Sequence, residues 1–137
     1  MTAKPARVLI IAGSDSGGGA GIQADIKTAT VLGAYAMTAI TAVTVQDTTG
    51  VHGFHPVPAK TVGDQIRTVL ADIGADAIKT GMLVSAEIVN EVAEALEEYC
   101  GRCEVPPLPR AKARSAPPPQ AGEETLSANF SSPVNGG

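Results

Sequence analysis

The sequence predicts an α/β protein built on a parallel sheet, and three observations support this fold class. Short runs rich in β-branched residues alternate three times with segments of helical periodicity. Each run ends in a loop that contains glycine or polar residues, and no hairpin-type turn signal joins one run to the next. We therefore expect strands connected by helices on the faces of a parallel sheet, with right-handed crossovers.

The first strand and helix are predicted at the beginning of the chain. Residues 7–13 (RVLIIAG) form an apolar run that is typical of a strand buried on both faces of a parallel sheet. A glycine-rich loop follows over residues 14–21. Apolar residues then recur at helical spacing from Ile22 to Ala29, and Gly33 lies where a C-terminal helix cap is expected.

The second and third units repeat this order. Residues 37–45 (MTAITAVTV) are dense in β-branched residues and predict a strand, and the apolar stripe over residues 62–73 predicts a helix. Residues 77–80 predict a brief third strand, and Ser85 is expected to cap a third helix. The acidic residues of that helix are interpreted as its solvated face: Glu91, Glu94 and Glu98.

The composition of the chain changes near residue 99. Seven of the ten prolines lie in residues 100–137, where strand and helix periodicity stops. Such a segment buries too little apolar surface to offset an ordering cost of about 1–2 kcal/mol per residue. We therefore expect one folded domain over residues 1–99 and a disordered, proline-rich tail over residues 100–137.

Charge and hydropathy exclude several classes of partner. The net charge is −4, and the ten Lys and Arg residues are scattered without forming a basic face, so nucleic acid is not an expected partner. The longest apolar stretches fall far below the roughly 20 residues that span a bilayer, so no membrane association is expected. A cytoplasmic location is the resulting expectation.

The most distinctive segment is residues 13–21 (GSDSGGGAG), between the first predicted strand and helix. Adjacent glycines let a backbone approach a ligand closely, and free N–H groups at a helix start favour an anion or a polar ligand. The segment is neither a Walker A loop nor a dinucleotide fingerprint. A flexible connector is the alternative interpretation.

Residues 12–27 (AGSDSGGGAGIQADIK) resemble the opening motif of hydroxymethylpyrimidine/phosphomethylpyrimidine kinases, ribokinase-like enzymes of thiamine biosynthesis. The resemblance implies a ribokinase-like, doubly wound sheet that is truncated after about three βα units. It also implies phosphorylation of 4-amino-5-hydroxymethyl-2-methylpyrimidine and its phosphate with ATP and Mg²⁺. Further segments agree in order and spacing: residues 32–35, 40–48, 50–58 and 78–83.

The resemblance also implies five substrate-binding residues. Gln46 would bind the aminopyrimidine ring through its side-chain amide, which offers both donors and an acceptor. Gly13 would lie against the substrate, Asp25 would bond its hydroxymethyl side, and Thr44 and Met82 would form walls of the pocket. The alternatives are a strand-end amide for Gln46, an ordinary helix charge for Asp25 and a core position for Met82.

The resemblance places the catalytic Cys or Asp, and the anion hole, in the second half of the fold. Nothing after Tyr99 matches that apparatus, so we expect no catalytic residue and no kinase activity in this chain alone. A pair of cysteines, Cys100 and Cys103, could in principle bind zinc with His52 and His55. Chance is the better explanation of that pattern, and no metal site is expected.

Other interpretations stay open at this point. The chain could be a relative of the pyridoxal-type kinases, a non-catalytic pyrimidine-binding fragment, or an unstable truncation product. Because a sheet that is cut in half exposes a strand edge, a homo-oligomer is also expected.

Overall fold

A computed structural model describes residues 4–101 of the 137-residue chain. These residues belong to the first of the two units into which the chain divides, Met1–Pro106. The second unit, Pro107–Gly137, lies outside the described residues, as does nearly all of the predicted disordered tail. The elements are β1 (Arg7–Ala12), α1 (Gly21–Val31), β2 (Tyr35–Ile40), β3 (Ala42–Gln46), β4 (Val51–Pro56), α2 (Ala59–Asp72), β5 (Ala77–Thr80) and α3 (Ala86–Cys100).

The central sheet is parallel, as the sequence predicts. Its strand order is β2-β1-β5, so β1 lies in the middle and the other two strands form the edges. Leu9 of β1 lies opposite Met37 on one side and Ile78 on the other. β5 is exposed along its whole length.

The two faces of the sheet are covered by different helices. Leu9 and Ile11 of β1 lie in a core cluster with residues of α2 and α3, whereas Ile10 and Ala12 lie in a second cluster with Ile22 of α1. This separation follows from the alternation of side chains along a strand. Helices therefore lie on both faces of the parallel sheet, which confirms the predicted α/β architecture.

The helices α2 and α3 pack against each other beside the buried Gly63 of α2. A Cβ atom at Gly63 would overlap the carboxylate of Glu91, so a larger residue would displace this side chain. Of the α3 glutamates predicted to form a solvated face, Glu94 and Glu98 are exposed, whereas Glu91 is partly buried. Arg67 of α2 binds Glu91 at 2.6 Å and Glu98 at 3.0 Å.

The Ser85 cap of α3 is confirmed. The Ser85 side chain accepts a hydrogen bond from the backbone N–H of Ile88 at 3.3 Å, and its backbone is extended, as an N-cap requires. Within residues 4–101, no helix is both long and apolar enough to cross a membrane.

The predicted second strand, residues 37–45, is in fact two strands. β2 belongs to the parallel sheet, while β3 pairs with β4 in a separate antiparallel hairpin. Thr41 separates them. Its N–H donates to the Ala12 carbonyl, its own carbonyl accepts from Val57, and its hydroxyl donates to the Met82 carbonyl. These tertiary contacts redirect the chain where the sequence shows an unbroken β-rich run.

The absence of a hairpin, predicted from the sequence, is therefore also wrong. The turn between β3 and β4 begins at Asp47, whose carboxylate accepts hydrogen bonds from Thr49 and Gly50. Both strands leave large apolar residues exposed, so the hairpin lacks the apolar/polar alternation by which such strands are usually detected.

Candidate functional site

The glycine-rich loop that follows β1 is organised around the carboxylate of Asp15. This carboxylate accepts hydrogen bonds from the backbone N–H groups of Gly17 at 2.7 Å, Gly19 at 2.9 Å and Ala20 at 2.7 Å. Asp15 is 5% exposed. These three N–H groups are therefore not free to bind an anion, because an acidic side chain of the loop already occupies them.

Backbone geometry explains why the loop is rich in glycine. Gly18 and Gly21 have φ of 75° and 54°, a region that residues with a Cβ atom adopt at a cost. A Cβ atom at Gly21 would also lie 2.5 Å from the carbonyl oxygen of Gly13. The loop thus closes tightly on the end of β1.

The charge of Asp15 is stabilised by this loop. Burial raises the pKa of Asp15, but hydrogen bonds from the N–H groups of Gly17 and its neighbours outweigh burial and hold the pKa below its usual value. The carboxylate is therefore ionised at neutral pH, and its negative charge further disfavours a bound anion in the loop.

Gly13 and Met82 lie in contact at the carboxyl ends of β1 and β5. A Cβ atom at Gly13 would lie 2.7 Å from Cε of Met82, so a larger residue would displace the end of this methionine side chain. Gly13 is buried, and Met82 is 47% exposed. Met82 is thus a partly accessible side chain packed on bare backbone, and it is not a core residue.

Thr44 connects the hairpin to the glycine-rich loop. Its hydroxyl donates to the Ser14 carbonyl at 2.7 Å, and the Ser14 N–H donates to the Ala42 carbonyl at 2.9 Å. Thr44 is 6% exposed. The wall that the resemblance implies for Thr44 is consequently fixed in place by two bonds between β3 and the loop.

Gln46 ends β3 beside the same loop. The Ser16 hydroxyl donates to the Gln46 carbonyl at 2.6 Å and accepts from the Gln46 N–H at 2.8 Å. The residue is half-buried, and in residues 4–101 no hydrogen-bond partner is found for its side-chain amide. The backbone of Gln46 is thus anchored while its amide is left available to a ligand.

Asp25 has different neighbours from the other four residues. Its carboxylate lies 2.6 Å from Nζ of Lys79, and both side chains border a cavity of about 230 Å³ between α1 and the sheet. Lys79 also lies near the end of β5, since a Cβ atom at Gly81 would be 3.4 Å from its Nζ atom. The pair therefore lies on the α1 face of the sheet, near the end of β5.

One histidine of the hypothetical zinc site already has another partner. Nε2 of His52 lies 2.8 Å from the carboxylate of Asp47, in the hairpin turn. Cys100 is exposed at the end of α3, and Cys103 lies outside the described residues. Across residues 4–101, no three His, Cys, Asp or Glu side chains form a group that could hold a metal ion.

The structure thus brings Gly13, Thr44, Gln46 and Met82 around one loop at the carboxyl edge of the sheet. Sequence reasoning missed the polar residues that hold these elements: Asp15, Ser16 and Thr41. All three lie in segments that resemble the family, and this resemblance was the available signal. Their roles could not be predicted from it, because the contacts form only in the fold.

Comparison with known proteins gives consistent relationships. The family model described as phosphomethylpyrimidine kinase matches residues 15–117. A hydroxymethylpyrimidine/phosphomethylpyrimidine kinase of Mycobacterium leprae is 63% identical over 90 residues, which cover 66% of this chain and 32% of that protein. The crystal structure of phosphomethylpyrimidine kinase from Clostridium difficile 630 is 48% identical, with a TM-score of 0.66, over 69% of this chain and 41% of that one.

A related vitamin kinase is also similar. The pyridoxal kinase of Staphylococcus aureus, solved with AMP-PCP and pyridoxal, is 44% identical with a TM-score of 0.63 over 70% of this chain and 36% of that one. The chain spans about a third of the length of the curated relatives it matches. These structures confirm the ribokinase-like fold that the resemblance implies. Since the family model covers more than half of the sequence, the chain belongs to the phosphomethylpyrimidine kinase family.

Proposed function

We propose that residues 4–101 form the acceptor-binding part of a hydroxymethylpyrimidine/phosphomethylpyrimidine kinase. The observation that carries this proposal is the convergence of Gly13, Thr44, Gln46 and Met82 at the carboxyl edge of the parallel sheet. In open α/β sheets, ligands bind outside the carboxyl ends of the strands. The names of the relatives supply the substrate class.

The chemistry of these four residues suits a flat, polar heteroaromatic ring. The bare backbone of Gly13 and the thioether of Met82 offer a polarisable surface for a ring face. The Gln46 amide has two N–H donors and a carbonyl acceptor, and an aminopyrimidine edge presents the matching ring nitrogen and amino group. Thr44, whose hydroxyl donates to the Ser14 carbonyl, would form one wall of the pyrimidine pocket. Asp25, held by Lys79, is proposed to face the hydroxymethyl side of the substrate.

ATP and Mg²⁺ are expected of this family, but the described residues do not fit them. The N–H groups of the glycine-rich loop are bonded to Asp15, so this loop is not an anion hole for a phosphate. No cluster of potential metal ligands is found in residues 4–101. We therefore assign neither group to a residue of this chain, and we derive no catalytic step through them.

We propose, accordingly, that the 137-residue chain binds an acceptor without transferring phosphate to it. Phosphoryl transfer depends on holding the donor and stabilising charge on the moving group. A non-catalytic pyrimidine-binding role thus follows for the chain by itself. A homo-oligomer is a further proposal, supported by the exposure of the edge strand β5. A cytoplasmic location stays a prediction.

Pyridoxal is a second candidate ligand. The observation that favours it is the similarity to the S. aureus pyridoxal kinase solved with pyridoxal. Pyridoxal is also a flat heteroaromatic ring that carries a hydroxymethyl group, but it lacks the amino group that Gln46 would accept from. We expect the pyrimidine to bind more tightly for this reason.

Two experiments on the full chain test the proposal. Isothermal titration calorimetry should detect hydroxymethylpyrimidine binding, with weaker binding of pyridoxal. A coupled ADP-release assay with hydroxymethylpyrimidine, ATP and Mg²⁺ should show no turnover, while an intact family member provides the positive control. Turnover within about tenfold of that control would contradict the non-catalytic assignment, since loss of one oxyanion-type donor costs about 10²–10³ in rate. Tighter binding of pyridoxal would favour the second candidate.

A further inference from the structure

The Ser16 hydroxyl makes an unusual pair of hydrogen bonds with one residue of the candidate site. It donates to the carbonyl of Gln46 at 2.6 Å and accepts from the N–H of the same residue at 2.8 Å. The two residues are 30 positions apart. A single side-chain oxygen therefore satisfies both backbone groups of Gln46, which a neighbouring strand would do in a regular sheet.

This pairing continues a pattern along one edge of β3. Alternate residues of a strand direct their backbone groups to the same edge. On this edge, the Ala42 carbonyl accepts from the Ser14 N–H at 2.9 Å, and the Thr44 hydroxyl donates to the Ser14 carbonyl at 2.7 Å. Gln46 is next in the series, and Ser16 is its partner. The loop thus contacts β3 at three alternate residues, through the backbone of Ala42 and Gln46 and through the side chain of Thr44.

Gln46 lies at a point where the pairing of β3 with β4 is irregular. The pairing of β3 with β4 shifts register between Val45 and Gln46, so the β4 side holds Gln46 less regularly than the residues before it. On the other side, Ser16 lies next to Gly17, whose N–H is held by the Asp15 carboxylate. Ser16 therefore connects an irregular strand end to the most highly bonded part of the loop.

We infer that Ser16 is a positioning residue, which fixes the backbone of Gln46 so that its side-chain amide faces a planar aminopyrimidine. This inference rests on the proposed function of Gln46. Ser16 itself need not touch the ligand. Ser16 restricts the conformation of the end of β3 before the ligand binds. The side-chain amide of Gln46 is therefore already oriented for the pyrimidine ring.

The test compares Ser16→Ala with Ser16→Thr, which retains a hydroxyl at the same position. The matched control is Thr48→Ala in the adjacent turn, because Thr48 is exposed and its hydroxyl has no hydrogen-bond partner within residues 4–101. Each full-length variant is titrated with hydroxymethylpyrimidine and with its analogue lacking the 4-amino group. Amide hydrogen exchange at Gln46 is measured without ligand.

We expect the substitution of Ser16 to affect mainly the ligand contacts made by the side-chain amide of Gln46. Ser16→Ala should weaken hydroxymethylpyrimidine binding by roughly 3- to 10-fold and the deamino analogue by much less. Exchange of the Gln46 N–H should accelerate by about tenfold or more. Ser16→Thr should restore both values, and Thr48→Ala should leave both unchanged. In the Gln46→Ala background, Ser16→Ala should have little further effect on affinity.

Two distinct results would overturn the inference. Equal affinity of Ser16→Ala and the wild-type chain, where Gln46→Ala does weaken binding, would refute the role of Ser16 and leave the proposed function intact. Equal weakening of both ligands would assign Ser16 a general structural role instead. Absence of binding by the wild-type chain would refute the proposed function, and the inference with it.

Discussion

Nζ of Lys79 lies 2.6 Å from Oδ2 of Asp25, which joins the last strand of the sheet to the first helix across 54 positions of sequence. Lys79 is on β5 and Asp25 is on α1, so the pair bridges two elements on the α1 face of the sheet. The carboxylate of Asp25 is thereby fixed in orientation.

Replacing Lys79 by Met tests the strength of this pair. The side chains of Lys79 and Asp25 are 48% and 24% exposed, and partly exposed ion pairs contribute little to stability. We expect Lys79→Met to lower the free energy of unfolding by less than about 1 kcal/mol in urea denaturation. The control is Lys60→Met, whose pair with Asp64 is more exposed and should contribute less. A loss above about 2 kcal/mol would show that Lys79 has a larger structural role.

Asp15 is expected to hold the glycine-rich loop in its observed conformation. Asp15→Ala leaves three backbone N–H groups without their acceptor, while Asp15→Asn retains one carbonyl oxygen but no charge. The melting temperature should therefore fall in the order wild type, Asp15→Asn, Asp15→Ala, with a loss of roughly 5 °C or more for the alanine variant.

The control for this series is Asp72→Asn, at an exposed position of α2. Amide exchange should accelerate at Gly17, Gly19 and Ala20 in the Asp15 variants and stay unchanged in the control. Unaltered protection of these amides in Asp15→Ala would contradict the assignment of Asp15 as the organising residue of the loop.

The hairpin turn should make stability sensitive to acid. Hydrogen bonds from the hydroxyl and N–H of Thr49, and from His52, lower the pKa of Asp47 to about 2. An unfolded aspartate has a pKa of about 3.9, so the unfolded chain takes up the proton first as the pH falls. The contribution of Asp47 is therefore complete above about pH 5 and is lost as the pH falls towards 2.

The measurement is urea denaturation of the wild-type chain and Asp47→Asn between about pH 6 and pH 2. The wild-type chain should lose more stability over this interval than the variant. The variant should still lose some, because hydrogen bonds from Arg7 lower the pKa of Asp76 and those from the glycine-rich loop lower the pKa of Asp15. Parallel curves for the two proteins would contradict the assignment to Asp47.

The sequence predicted the parallel sheet and its helices because their residues are buried on defined faces. Ile66 and Leu70 of α2 repeat at helical spacing and are buried, and this burial is the physical cause of the periodicity. The hairpin could not be detected in the same way. Val43 and Phe54 are more than half exposed, so the apolar residues of β3 and β4 do not mark a buried face.

The candidate site was predicted by resemblance, whereas its supporting contacts were not. The bonds of Thr41 to Met82 and of Ser16 to Gln46 join residues that are 41 and 30 positions apart. Spacing along the chain carries no information on such pairs, because the fold alone brings them together. The same holds for Arg67 and Glu98, which the sequence presents as two unrelated surface charges.

The central claim is that the amide of Gln46 binds an aminopyrimidine, and calorimetric titration of hydroxymethylpyrimidine into the wild-type chain, Gln46→Ala and Gln46→Glu tests it most directly. Glutamate keeps the shape of the side chain but removes both N–H donors. We predict that each substitution weakens binding by roughly 5- to 150-fold, because ligand groups that were paired with the amide are left buried without partners. Equal affinity of all three proteins would contradict the claim.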